Sequence, residues 1–146
     1  MLNLINMFAE ARVEFVLTGD LAAGLHGYQK PLTSMEMAVA MDDANVQRFL
    51  SVAHFFGLRP TLPVELDTLA QSDMIEQRYR ENEMRVFGLR GPTAAETIIN
   101  VLVKPIIPYV DLRRDAVMID VGPIFVPVAS IEHLIAMKTN IDTVKV

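Results

Sequence analysis

Apolar and polar positions divide the chain into alternating helical and extended segments. Asn3 to Arg12 predicts a helix, because Leu4, Ile5, Phe8 and Ala9 recur on one face. "VEFVLT", Val13 to Thr18, is a compact β-branched and aromatic run that predicts a strand. Gly19 and Asp20 predict a tight turn into a short helix, "LAAGLHG", closed by Gly27. "SMEMAVAM" then alternates as a strand does, with Met35, Met37, Val39 and Met41 on one face. Ser34, Glu36, Ala38 and Ala40 take the other face. Asp42 or Asp43 is placed to cap the next helix, which carries Val46, Phe49, Leu50 and Ala53 and stops at Gly57.

The second half continues the alternation. After the proline-broken loop "RPTLPVE", Leu66 to Asn82 reads as one weakly amphipathic helix. "MRVFGLRG" and "TIINVLVK" predict a strand pair turning at Gly91-Pro92. Pro105 and Pro108 lead into a short helix through "YVDLRRDA". "VMIDV" and "IFVPV" predict a second hairpin around Gly122-Pro123, and Ser130 caps a final helix, "IEHLIAMKTN". The expected architecture is a single domain over residues 1–146, mixed α/β or α+β, with a mostly antiparallel sheet flanked by helices.

Composition narrows the function classes. Hydrophobic residues make up 51% of the 146 residues, and mean hydropathy is +0.30. No apolar run approaches the ~18 residues of a membrane span, so no membrane partner is expected. The apolar surplus is expected in a buried sheet or an oligomer interface. A net charge of −5 and a pI near 5.1 argue against a broad nucleic-acid surface, while leaving room for a local basic patch. The absence of cysteine rules out disulfides and thiolate metal sites. No basic stretch leads into an apolar signal core at the N-terminus, so a cytoplasmic location is expected. The nine methionines, three of them alternating on one strand, are expected to fill core.

Two strings carry a family resemblance: "LAAGLHGYQK", Leu21 to Lys30, and "VPVASIEHLIAMK", Val126 to Lys138. In this order the chain resembles the nucleotidyltransferase-like family of the polymerase β superfamily. The nearest branch in pattern is that of the AbiEii-type and minimal nucleotidyltransferases, and the likeness runs from Val13 to Lys138. The resemblance implies transfer of a nucleoside monophosphate from a nucleoside triphosphate to a hydroxyl acceptor. Two Mg²⁺ ions would activate the acceptor and neutralise the departing pyrophosphate, held by converging carboxylates. The family pattern places Asp-x-Asp on the second strand and a third acid on a neighbouring strand.

This sequence departs from that pattern. The paired positions hold Ser34 and Glu36, and the third falls in "TIINVLV" at Asn100. In the glycine turn, where the family's amides hold the triphosphate, Gly19 is followed by Asp20. Asp20 is expected to cap the helix itself and fill the anion site with its own charge. Two unit charges ~4 Å apart at an effective dielectric of 20 interact by about 4 kcal/mol, against about 1.5–3 kcal/mol for a charge-assisted amide contact. The expectation is therefore a degenerate, non-catalytic member. In the other reading Asp20 and Glu36 form a rearranged metal-ligand pair, with Asp20 standing in for the acid missing at position 34. Mg²⁺ is the expected cofactor only in that second reading.

Several residues keep two readings each. Lys138 either reaches a phosphate, as the family's lysine does, or lays its stem over the core with its ammonium at the rim. Lys30 stands at the family's arginine position and either touches a phosphate or is solvated. His26 and Tyr28 belong to the matching string, though packing roles are the simpler expectation; His54 and His133 read as structural and "RRD" as a solvated helix end. The expected partners are a second copy of the chain or a cognate protein, as in toxin–antitoxin pairs of AbiEii-type relatives, and a nucleoside triphosphate.

Overall fold

A computed structural model describes residues 2–29, 34–92 and 97–145. In chain order they form α1 (Leu2–Glu10), β1 (Phe15–Thr18), α2 (Gly19–Leu25), β2 (Met35–Val39), α3 (Asp43–Phe56) and β3 (Arg59–Pro60). A 3-10 turn (Leu66–Ala70), α4 (Ser72–Asn82), β4 (Val86–Arg90) and β5 (Thr97–Leu102) follow. α5 (Tyr109–Arg114), β6 (Val117–Asp120), β7 (Phe125–Val128) and α6 (Ile131–Lys145) complete the order. The strands make one sheet in the order β3-β4-β5-β2-β1-β7-β6. β2–β5 and β1–β7 are parallel; the other four pairings are antiparallel. The expected mixed, mostly antiparallel sheet with flanking helices is what forms. Among the described residues no helix is long and apolar enough to cross a membrane.

Alternation along the central strands assigns the two faces. Phe15, Leu17, Met35, Met37, Ile99, Val101, Phe87 and Leu89 are buried in the larger core, together with Leu4, Ile5 and Phe8 of α1 and Phe49 of α3. Phe8 stacks on Phe49 with ring centroids 4.8 Å apart. Val16, Ala38 and Leu102 point the other way and meet Leu112 of α5 and Met137 of α6 in a smaller core. Both faces of the central strands are thus covered, which accounts for apolar residues on both sides of β2. The methionines of β2 are core, as expected: Met35 and Met37 are fully buried.

Local chemistry explains most boundaries. Asp42 accepts from the Asn45 amide at 3.0 Å and caps α3, and Gly57 ends it in the left-handed conformation. Ser130 Oγ accepts from the His133 amide at 3.1 Å and caps α6. Two expectations need correction. Gly19 and Asp20 are not a turn before a helix; they are the first residues of α2 itself. Leu66 to Asn82 is not one helix, because the chain breaks at Gln71 (φ −99°, ψ 86°) between the 3-10 turn and α4. Gly91-Pro92 stands in the connection between β4 and β5, as expected, and residues 93–96 lie outside the described residues.

One buried polar side chain ties these pieces together. Asn45, wholly buried at the start of α3, accepts from the Glu14 amide at 2.6 Å and donates to the Glu14 and Ala40 carbonyls at 3.0 and 2.7 Å. It continues the β1–β2 pairing beyond the last paired residues and satisfies backbone groups that would otherwise be buried unpaired.

Candidate functional site

The register of four strands sets two rows side by side on the α5/α6 face of the sheet. Thr18, Glu36, Asn100 and Gly88 are successive cross-strand partners on β1, β2, β5 and β4. Val16, Ala38, Leu102 and Val86 form the neighbouring apolar row in the same register. A cavity of about 440 Å³ opens where the rows meet α2, the segment after β5 and α6. Gly19, Asp20, Glu36 and Lys138 line it, with Arg85 and Lys104 as further charged groups. Its apolar wall is Ala23, Val86, Leu102, Pro105, Ile106, Leu134 and Met137.

Glu36 sits at the tightest point. The Thr18 hydroxyl, fully buried, donates to Glu36 Oε2 at 2.8 Å. Directly above, Gly19 has φ +68°, and a Cβ there would lie 2.9 Å from the same Oε2 and 3.1 Å from Glu36 Cβ. Glycine is required twice over at this position, by backbone conformation and by space. Burial is the main cause that raises the Glu36 pKa above its ordinary value; the Thr18 bond opposes this, and the negative charge of Asp20 adds to it.

Asp20 does not cap α2 as expected. The N-cap is Thr18, whose hydroxyl is spent on Glu36, and among the described residues no helix amide bonds the Asp20 side chain. Asp20 is exposed in the first helical turn and faces the cavity as a charge, so it influences Glu36 through space. Asn100 lies beside Glu36 on the adjoining strand but lines a second hollow, with Thr61, Arg78, Asn82 and Gly88; Val86 separates the two. Ser34, half-buried ahead of β2, lines neither. Lys30 lies outside the described residues.

The histidines have packing or surface partners. His26 Nε2 bonds the Ala129 carbonyl at 2.8 Å, joining the end of α2 to the β7–α6 junction. His54 and His133 do have acidic neighbours, brought by the fold: Asp67 at 2.7 Å and Asp115 at 3.5 Å. Tyr28 is exposed and lines no part of the cavity. Arg114 pairs with Asp111 and Asp115 on the surface.

Sequence reading missed Arg85 and Lys104. They flank the paired ends of β4 and β5, where the Val103 and Lys104 amides both bond the Arg85 carbonyl. Tyr79 of α4 holds both cations over its ring, Arg85 Cζ at 5.1 Å and Lys104 Nζ at 5.4 Å from the centroid. Lys104 also pairs with Glu76 at 2.6 Å and holds that carboxyl below the usual carboxylate range. The available signal was a hairpin with a basic residue at each open end.

The donor set does not match a two-metal centre. Mg²⁺ needs several hard oxygens converging in near-octahedral geometry, usually with more than one carboxylate per pair of ions. Glu36 already takes a hydrogen bond, Asn100 faces another hollow, and among the described residues no three acidic, histidine or cysteine side chains cluster.

No family model and no curated protein matches the chain. Among solved structures, it is similar to a protein from Thermotoga maritima described as a "putative nucleotidyltransferase". The TM-score is 0.62 at 11% identity, over 99% of this chain and 86% of the other. At that identity the likeness shows the fold alone: a nucleotidyltransferase-like fold.

Two measurements test this geometry. Gly19→Ala is expected to cost about 1–2 kcal/mol from the left-handed backbone, plus the clash with Glu36. In a Glu36→Ala background the clash portion disappears, and urea denaturation of the four proteins reads the difference. Equal costs in both backgrounds would show that the contact does not matter. The second test uses pH. A carboxyl whose folded pKa is raised above 4.5 binds more protons folded than unfolded, so stability falls as pH rises through that window. Glu36→Gln should therefore match wild type below about pH 4 and be more stable at neutral pH, each kcal/mol appearing as about 2–4 °C in Tm. A constant difference across pH would contradict the burial of charge.

Proposed function

We propose that the chain is a degenerate nucleotidyltransferase-fold protein that binds rather than transfers. The observation that carries this reading is the row Thr18–Glu36–Asn100–Gly88, which offers a single carboxylate where the reaction needs several. That carboxylate is bonded to Thr18 and resists ionisation through burial. Membership of the AbiEii-type branch belongs to the same proposal, resting on the strings Leu21–Lys30 and Val126–Lys138. By analogy with that branch, the molecule works through a second copy of itself or a cognate toxin–antitoxin partner in the cytoplasm. Val117 and Met118 on the edge strand β6, and Phe125 of β7 opposite Asp120, are exposed apolar residues that support an interface.

One observation favours a second reading. Asp20 and Glu36 line the same cavity, and the charge of Asp20 adds to the raised pKa of Glu36, as in a rearranged ligand pair. In that reading the protein is a Mg²⁺-dependent enzyme that moves a nucleoside monophosphate to a hydroxyl.

A single-turnover reaction with Mg²⁺ or Mn²⁺ and labelled nucleoside triphosphates separates the two. No label transfer is expected; transfer that is abolished by Glu36→Gln would establish the enzyme. Light scattering tests the partner: a concentration-dependent dimer is expected, and a strict monomer at every concentration argues against self-association.

A further inference from the structure

The second hollow, the one that Asn100 lines, lies between α4, the chain after β3 and strands β4 and β5. Thr61, Arg78, Asn82 and Asn100 supply its polar groups, and Leu62, Met84 and Val86 its apolar wall. At about 450 Å³ it lies within the roughly 300–1,000 Å³ of small-molecule sites. Glu36 does not line it, and neither Leu21–Lys30 nor Val126–Lys138 contributes a residue. Its floor is kept open by a glycine. The Thr61 amide and hydroxyl both donate to the Gly88 carbonyl, at 2.9 and 3.3 Å, which seats Thr61 against β4. A Cβ at Gly88 would lie 2.8 Å from Thr61 Oγ1 and 3.6 Å from Asn100 Oδ1, filling the space between them.

Charge in this hollow is one-sided. Among the described residues no acid lines it and no carboxylate pairs with Arg78. Arg78 and Asn82 stand four residues apart on α4 and so share a face. Arg78 Nε is buried without a partner, so packing holds the stem while the Nη groups are left for an acceptor. A guanidinium fork matches the two oxygens of one carboxylate, charge for charge. A phosphate monoester carries close to two charges at neutral pH and would leave one unmatched. An ammonium on the ligand would face Arg78 with no acid to receive it.

We propose that this hollow binds a small organic acid, its single carboxylate on Arg78 and its uncharged aliphatic body against Leu62, Met84 and Val86. The Asn82 and Asn100 carboxamides, which can donate without adding charge, complete the polar side. The site goes beyond the function proposed above and holds for a catalytic or a non-catalytic protein alike.

Titration of 4-methylpentanoate into the full chain tests it, followed by calorimetry and by the methyl NMR signals of Leu62 and Met84. Saturable binding that shifts those methyls is expected. 4-Methylpentanamide, leucine and inorganic phosphate should each bind about tenfold more weakly or worse. Arg78→Gln should weaken binding of the acid about tenfold or more, and Arg78→Lys, which keeps the charge and loses the fork, should weaken it less. Gly88→Ala should weaken it with Arg78 intact, by narrowing the floor. The ligand series on the unaltered protein decides the matter whatever the variants do to folding. No saturable binding overturns the proposal, as does an amide, leucine or phosphate that binds as tightly as the acid. Shifts confined to Leu134 and Met137 would place the ligand in the cavity beside Glu36 and overturn it too. Each of these failures leaves the non-catalytic reading in place, because label transfer alone decides that.

Discussion

The hydrogen bond from Thr18 to Glu36, closed over by Gly19, is the contact on which the site depends. It joins the last residue of β1 to the polar row of β2 at the point where the chain turns directly into α2. Thr18 is fully buried, so its hydroxyl needs a partner, and Glu36 needs a donor to remain at this depth. Glycine at position 19 lets the helix start pass within contact of the carboxylate. Loss of any of the three would leave a buried polar group unpaired or a steric conflict in place.

The surrounding fold makes that contact possible by covering the sheet unevenly. α1, α3 and the 3-10 turn seal one face over the aromatic and methionine side chains. On the other face, α5 and α6 cover Val16, Ala38 and Leu102, and the cavity opens beside that cover, between α2 and α6. An apolar row next to a polar row thus becomes a hollow with one greasy wall and one charged wall. Burial of the central strands on both faces accounts for much of the hydrophobic surplus, while Val117, Met118 and Phe125 of β6 and β7 stay exposed.

Charge decides between the chemistries that such a hollow allows. An anion in such a hollow would have to be balanced by metal ions held on carboxylates or by cationic side chains. Here the acids near the sheet are Glu36, partly buried, and Asp20, exposed, whereas Arg85, Lys104 and Lys138 reach the same space. Tyr79 and Glu76, from a helix remote in sequence from β2, set the positions of two of those cations.

How much was legible in the sequence follows from the range of each interaction. Strand alternation in "SMEMAVAM", the Asp42 and Ser130 caps and the Gly57 stop are local, and each appears as read. The family resemblance implied that Glu36 and Asn100 lie on neighbouring strands, and the register makes them partners. The break at Gln71, the role of Asn45 and the pairing of His133 with Asp115 had no local mark, because each is decided by a partner far along the chain. The same holds for Arg85 and Lys104, which read as strand-end charges until β4 and β5 bring them onto Tyr79. By itself the sequence determined the order of elements, the inward faces and the residue types at Ser34, Glu36 and Asn100, since those depend on near neighbours and residue type. Only the tertiary structure decided that Asp20 faces the cavity without capping, that Asn100 lines a second hollow, and that Arg85, Lys104 and Lys138 line the same cavity as Glu36, because which side chains share a hollow is a property of packed strands and helices rather than of spacing.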